Sequence, residues 1–383
     1  RALGIAPETR APEAPLGGAI EVDAAGRPTG IFLDAAEEQL IENVVPPPSR
    51  AELEERLRRA LAMTARYGLT GVHEAGVRPD TLAVYQAAID AGTFSIRNYA
   101  MIEGPGALLD SVCAAGPTLG QGGRLWLRSL KLYMDGALGS RGAALLADYA
   151  DDPGNRGLLR YTPEAYRAVV ERAMGCGLQV NTHAIGDAAN RRVLDTYESA
   201  TRATGGGPGR HRVEHVQVVA PEDLPRFGQL GVIASVQPTH ATSDMPWAED
   251  RVGPERIRGA YAWRTLLDGG ARLALGSDFP VEHVNPLLGF YAAVTRQDAE
   301  GNPPGGWYPD QRLTREEALR GFTLDAAYAG FMEEEVGSLE VGKRADFVLL
   351  SRDIMVVPPA EILQTEVVAT YLDGEAIYAA ATD

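Results

Sequence analysis

Four short segments carry, at or near their ends, a residue able to ligate a metal or move a proton. They are Ser129–Gly136 with Lys131, Val180–His183, Arg212–His215 and Ala274–Asp278. Each holds an apolar run of the kind buried on both faces of a parallel sheet, and the run gives way to Lys, His or Asp. Where parallel strands close into a barrel, their carboxyl ends converge on one mouth, the face that carries chemistry. Two imidazoles and a carboxylate meeting there suit a zinc-like ion. Metal-assisted hydrolysis is the chemistry this set can perform. Asp278, in Gly276-Ser277-Asp278-Phe279-Pro280, is placed as a ligand and as the base that takes a proton from attacking water. Aspartate is also a common turn cap, and a lone strand-end histidine often serves structure alone. Two histidines in successive units, with an aspartate, favour metal.

Lys131 is the least expected member. A lysine inside an apolar strand is costly when charged and unpaired, so it needs an anionic partner such as Asp135, or loss of its charge. A neutral amine can add carbon dioxide, giving a carbamate whose oxygens can bridge two ions. Spacing alone does not choose between carbamate and ion pair. His73 and His240 also fall at strand ends and are expected to contact substrate. So is Arg141, in the small-residue loop Gly136–Gly142, which lacks the Lys-Ser/Thr of a phosphate cradle. His211 begins a strand and belongs to the opposite, stabilising face. His283 lies in a loop and takes no role, while Trp247, Trp307 and Tyr308 either line a pocket or pack on the body.

These side chains need a scaffold, and the chain alternates strand and helix from Ser49 onward. Ser49, with Glu52 three residues on, caps a helix through Tyr67 that ends at Gly68. Strands are expected at 70–73, 95–102, 125–134, 178–183, 211–216, 232–237 and 273–278. Helices at 80–91, 108–115, 162–176, 187–203, 221–230 and 260–269 separate them. This pattern predicts an α/β fold, a (β/α)₈ TIM-like barrel with its first strand missing from this chain. A doubly wound open sheet is the alternative, but the Gly-rich nucleotide loop it requires is absent. Three regions follow. Residues 1–48 form a loop-rich segment with a hairpin across Asp23–Gly26, residues 49–335 the barrel, and residues 336–383 part of a small β-sandwich. The last region includes strands at 337–340, 345–350 and 366–372, after a helix over 314–328.

The 383 residues are 45% hydrophobic, enough for a large core, and carry a net charge of −16. That charge argues against nucleic acid or an anionic membrane as partner. A small-molecule substrate is expected, with a homodimer allowed. Cys113 and Cys176 permit at most one disulfide, and Cys176 reads as a small buried residue. No apolar run approaches the ~20 residues of a membrane span, and no signal-like start is present, so a cytoplasmic location is expected. The chain opens at Arg1, in what reads as mid-protein sequence, so an N-terminal part is expected to be absent.

Taken together, the motifs Lys131–Arg141, Asn181–Asp187, Val213–His215, Gln237–His240, Gly276–Pro280 and Val336–Phe347 resemble the amidohydrolase superfamily. The likeness is to the branch of YtcJ-like proteins and N-substituted formamide deformylase (amidohydrolase family 3), and it covers nearly the whole chain. The resemblance implies Zn2+ or another divalent metal, as one or two ions. It makes Lys131 the carboxylated lysine after strand four, and His183 and His215 ligands after strands five and six. Asp278 becomes the acid/base after strand eight. It further implies cleavage of a non-peptide carbon–nitrogen bond in an amide or N-acyl compound, with a deaminase or cyclic-amide hydrolase as the runner-up. One departure stands out. The family's first-strand His-x-His pair is missing, since no two of the six histidines are two positions apart. A non-catalytic or incomplete chain is therefore the rival expectation.

Overall fold

The computed structural model describes residues 11–381, so the first ten residues of the loop-rich segment lie outside it. Strands β1 (Gly18–Val22) and β2 (Pro28–Asp34) pair antiparallel as the expected hairpin. Asp23 holds its turn by accepting the N–H groups of Ala25 and Arg27. Helix α1 (Arg50–Arg66) opens on the reciprocal Ser49–Glu52 capping box, which satisfies two N–H groups that the first turn cannot.

The alternation then follows as β3 (Gly71–Val77), α2 (Pro79–Asp90), β4 (Arg97–Glu103), α3 (Ala107–Ala115), β5 (Thr118–Gln121) and β6 (Leu125–Tyr133). Next come α4 (Pro163–Gly175), β7 (Gln179–Ala184), α5 (Asp187–Thr204), β8 (Arg212–His215), α6 (Leu224–Leu230) and β9 (Ile233–Val236). Helices α7 (Pro238–Asp244), α8 (Ala248–Arg256) and α9 (Trp263–Asp268) lead to β10 (Leu273–Leu275) and α10 (Pro286–Thr295). The curled sheet runs β3-β4-β6-β7-β8-β9-β10, with every step along that path parallel. β5 adds antiparallel to β6. Among the described residues no strand joins β3 to β10, so the barrel is open on that side.

Alternation along the strands separates two interiors. Leu130, Leu132, Val180 and Val213 are fully buried with Tyr166, Val170, Val193 and Tyr197 of α4 and α5. The Thr182 hydroxyl fixes the facing, because it bonds Tyr166 and Tyr197 on that helical side. Its neighbours Asn181 and His183 therefore point into the barrel, as do Lys131 and Tyr133, their partners in register. The lumen is thus polar where the helix-covered face is apolar. Tyr99 donates to Gln179 at 2.9 Å, and Arg212 bonds Ser235 at 3.1 Å and lies 2.8 Å from Glu214.

Beyond the barrel, the helix expected over 314–328 breaks at Thr323 (φ −126°, ψ −89°) into α11 (Arg315–Phe322) and α12 (Leu324–Ala329). The strand expected at 337–340 is irregular turn. Gly337 there has φ 89°, a left-handed backbone that a strand cannot continue through. Strands β11 (Phe347–Leu350), β12 (Val367–Leu372) and β13 (Glu375–Ala379) form a small antiparallel sheet, with α13 (Pro359–Ile362) between the first two. Cys176 is bonded to Cys113, the one disulfide that two cysteines permit, tying the end of α4 to α3.

One buried cation joins the small sheet to the barrel. Arg97, with a side chain 2% exposed, pairs with Asp346 at 2.5 Å and Asp373 at 2.6 Å and donates to the Gly123 carbonyl. Removing one partner of a buried pair strands the other charge, at a cost of about 3–5 kcal/mol. Arg97→Met is accordingly expected to lower the urea midpoint by that equivalent. An unchanged midpoint would show that the pair contributes no net stability.

Candidate metal centre

The sheet sends its carboxyl ends to one mouth, and four of the predicted side chains meet there. The candidate ligand atoms of His215, His240 and Asp278 all lie within 4.8 Å of one another. His240 Nε2 stands 3.7 Å from Asp278 Oδ2. The His183 ring lies 4.6 Å from that of His215, edge to face, and the His240 ring stacks on His215 at 5.5 Å. Two of these groups sit in left-handed backbone, His215 at φ 80° and Asp278 at φ 58°. Non-glycine residues rarely adopt that region, and strained positions of this kind gather at functional sites.

Each group is aimed by a neighbour. Gln237 Oε1 lies 2.8 Å from His215 Nδ1. A carboxamide oxygen only accepts, so Nδ1 carries the hydrogen and Nε2 keeps its lone pair for a ligand. His183 Nε2 is 3.4 Å from both the Gly136 carbonyl and Asp135 Oδ1. Asp135 itself is buried and accepts the N–H groups of Ala144, Ile185 and Gly186 at 2.8–3.0 Å. It is therefore committed to backbone and forms no ion pair with Lys131. The Lys131 amine instead stands 3.4 Å over the Tyr133 ring and 3.4 Å from the Leu132 carbonyl.

Burial dominates the electrostatics. It lowers Lys131 to about 7, against the opposing pull of Glu214 and Asp278. It raises Asp278 to about 6, opposed by Lys131 and reinforced by Glu214. His240 is pushed down to about 4 by burial and by His183, and His215 falls well below the ordinary range for the same reason. Neutral imidazoles are the form that binds metal. The donor set also passes a satisfaction test. His240 Nε2 and both side-chain polar atoms of Asn181 are buried without a hydrogen-bond partner, a costly state that a ligand would relieve.

Other predicted contacts lie apart from this group. His73 is half-buried lower in the lumen, its Nδ1 bonded to Arg212 at 2.7 Å and its ring against Tyr99. Arg141 turns outward to Asp151 at 2.9 Å. His211 is buried in a backbone-bonding position, accepting from the Val180 N–H, and His283 caps the N–H of Asn285. Trp307 packs on Tyr261 and Tyr308. Sequence reasoning gave no role to Gln237 or Asn181, although both lie in motifs that it quoted. Period-two alternation from His183 would have turned Asn181 inward.

A family model described as "Amidohydrolase family" matches residues 1–378. This chain belongs to the amidohydrolase family. Among relatives, Protein LONG AFTER FAR-RED 3 of Arabidopsis thaliana is 36% identical over 98% of this chain and 66% of its own length. N-substituted formamide deformylase of Arthrobacter pascens is 29% identical over 94% of this chain and 67% of that one. A metal-dependent hydrolase of Pyrococcus horikoshii, of uncharacterized function, superposes with a TM-score of 0.76 at 30% identity, covering 87% of this chain and 66% of that one. The amidohydrolase chain described here thus spans about two thirds of the length of these relatives.

Proposed function

We propose that this amidohydrolase is a metal-dependent hydrolase that cleaves a carbon–nitrogen bond in an amide or N-acyl compound with water. The observation that carries the reading is the convergence of His183, His215, His240 and Asp278 at the carboxyl ends of one parallel sheet, with Lys131 buried beneath them. The name of the relative N-substituted formamide deformylase supports the choice of bond. His215, His240 and Asp278 would hold a divalent ion, zinc being the natural candidate, with His183 and Lys131 beside it. Such an ion, when bound, supplies Lewis acidity toward water and a carbonyl oxygen.

The chain's own groups do the rest. Asp278 accepts the proton of the attacking water and returns it to the departing nitrogen, so that no charged amide anion has to leave. Gln237 keeps His215 in the tautomer that presents Nε2. Asp135 fixes the loops behind His183. Lys131, brought near neutrality by burial, is suited to carbamate formation, in which the amine nitrogen bonds carbon dioxide and releases a proton.

The open edge between β3 and β10 favours one second reading, in which this chain alone is incomplete or non-catalytic. A deaminase or cyclic-amide hydrolase remains the alternative within enzymes. A panel of N-acyl amines, cyclic amides and amino-heterocycles, assayed alongside metal content per chain by plasma mass spectrometry, separates them. Bound metal with turnover of N-acyl amines is the expected result. Turnover confined to the other classes, or no metal and no turnover, removes the proposal. No helix among the described residues is long and apolar enough to cross a membrane. A cytoplasmic location is part of this reading. The Cys113–Cys176 bond weighs against it, because reducing compartments rarely keep such bonds.

A further inference from the structure

The hairpin delivers to the barrel mouth a carboxylate that the hydrolytic reading does not use. Asp34 closes β2 in left-handed backbone at φ 50°. The segment behind it is anchored by Ala35 and Ala36, 2% and 0% exposed. The Asp34 side chain lies against two glycines of the loop after β6. A Cβ added to Gly136 would stand 2.3 and 2.4 Å from the two carboxylate oxygens, and one added to Gly142 would stand 2.4 Å from Oδ2. Any larger residue at either position would collide with the carboxylate. The Gly136 carbonyl is in turn 3.4 Å from His183 Nε2, so Asp34 borders the candidate centre.

This carboxylate is unspent. Its Oδ2 is buried and receives no hydrogen bond. Burial works against its charge, and Arg160 and His183 act on it favourably, yet the guanidinium is paired with Glu38. Glu38 and Asp135 add further negative charge around Asp34, and Arg141 of the same loop is turned away to Asp151. A desolvated carboxylate with an unmet acceptor is costly unless a donor arrives, and a charged donor relieves it most.

We propose that Asp34 is a specificity-determining residue whose carboxylate receives the ammonium group of a cationic substrate, an N-acyl compound with a protonated amine beside the scissile amide. The placement of the substrate rests on the hydrolytic reading above, but the test does not need turnover. The probes are para-(aminomethyl)benzamide, cationic at neutral pH, and para-methylbenzamide, its neutral shape-mate, each titrated calorimetrically into the full chain. The wild type is expected to bind the cation more tightly by about ten-fold or more. Asp34→Asn should erase most of that ratio. Gly142→Ala keeps the charge but displaces the carboxylate, and should reduce the ratio as well. A wild type without preference, or a preference that survives in both variants, overturns the proposal. Failure of every N-acyl amine to turn over would instead remove the hydrolytic reading and leave the binding ratio to stand or fall by itself.

Discussion

Asp278→Asn lowers turnover of an N-acyl amine by about 10³-fold, within the range general acid–base groups supply, while most of the bound metal stays. The change is isosteric, and asparagine tolerates the left-handed backbone at φ 58° as well as aspartate does. What disappears is the proton acceptor 3.7 Å from His240. The imidazoles of His183, His215 and His240 remain, and neutral imidazole is a sufficient ligand type for zinc. Steady-state kinetics and metal content, measured on the same preparation, check both halves. Wild-type turnover in the variant would take Asp278 out of the mechanism. Loss of metal together with turnover would make it chiefly a ligand.

Lys131→Met separates function from stability in the opposite way. The lysine is 2% exposed and its only hydrogen bond among the described residues is the long one to Leu132. Replacing an unpaired buried amine by a hydrophobe of similar volume removes the cost of desolvating it, so the change is expected to be neutral or stabilising. Turnover should nevertheless be lost if the amine or its carbamate serves the site, which places Lys131 among residues kept for activity at the expense of stability. The pH dependence has a definite sign. A lysine lowered in the fold from 10.5 to about 7 contributes stability above its unfolded value, and that contribution is lost as pH falls through the folded one. Thermal melts of the metal-free protein between those limits should slope in the wild type and flatten in Lys131→Met. A destabilised variant with full activity would make Lys131 a structural cation.

Much of this was legible in the residues themselves. The buried runs before His183, His215 and Asp278 marked strands because a parallel sheet covered on both faces demands apolar side chains at successive positions. The Ser49–Glu52 box located a helix start because the first turn leaves N–H groups to be satisfied. Other features depend on tertiary contact. The break at Thr323 and the turn at Gly337 follow from packing of α12 and its successor segment, where Gly337 approaches Leu324 and Ala327, and propensity cannot register that. The commitment of Asp135 to three amides could not be read from its position four residues after Lys131. Nor could the placement of Asp34, which reaches Gly136 from a hairpin about a hundred residues earlier in the chain.

The Asp135 arrangement has a dynamic consequence. Its two oxygens receive Ala144 from the loop after β6, and Ile185 and Gly186 from the loop after β7. Releasing one amide leaves the carboxylate, 1% exposed, one hydrogen bond short where water does not replace it, which is penalised more than the bond itself is worth. The two loops are therefore expected to move as one body, with the carboxylate as their hinge pin. Hydrogen exchange should show it: the three amides are expected to share one opening rate, and three separate rates would mean independent loops.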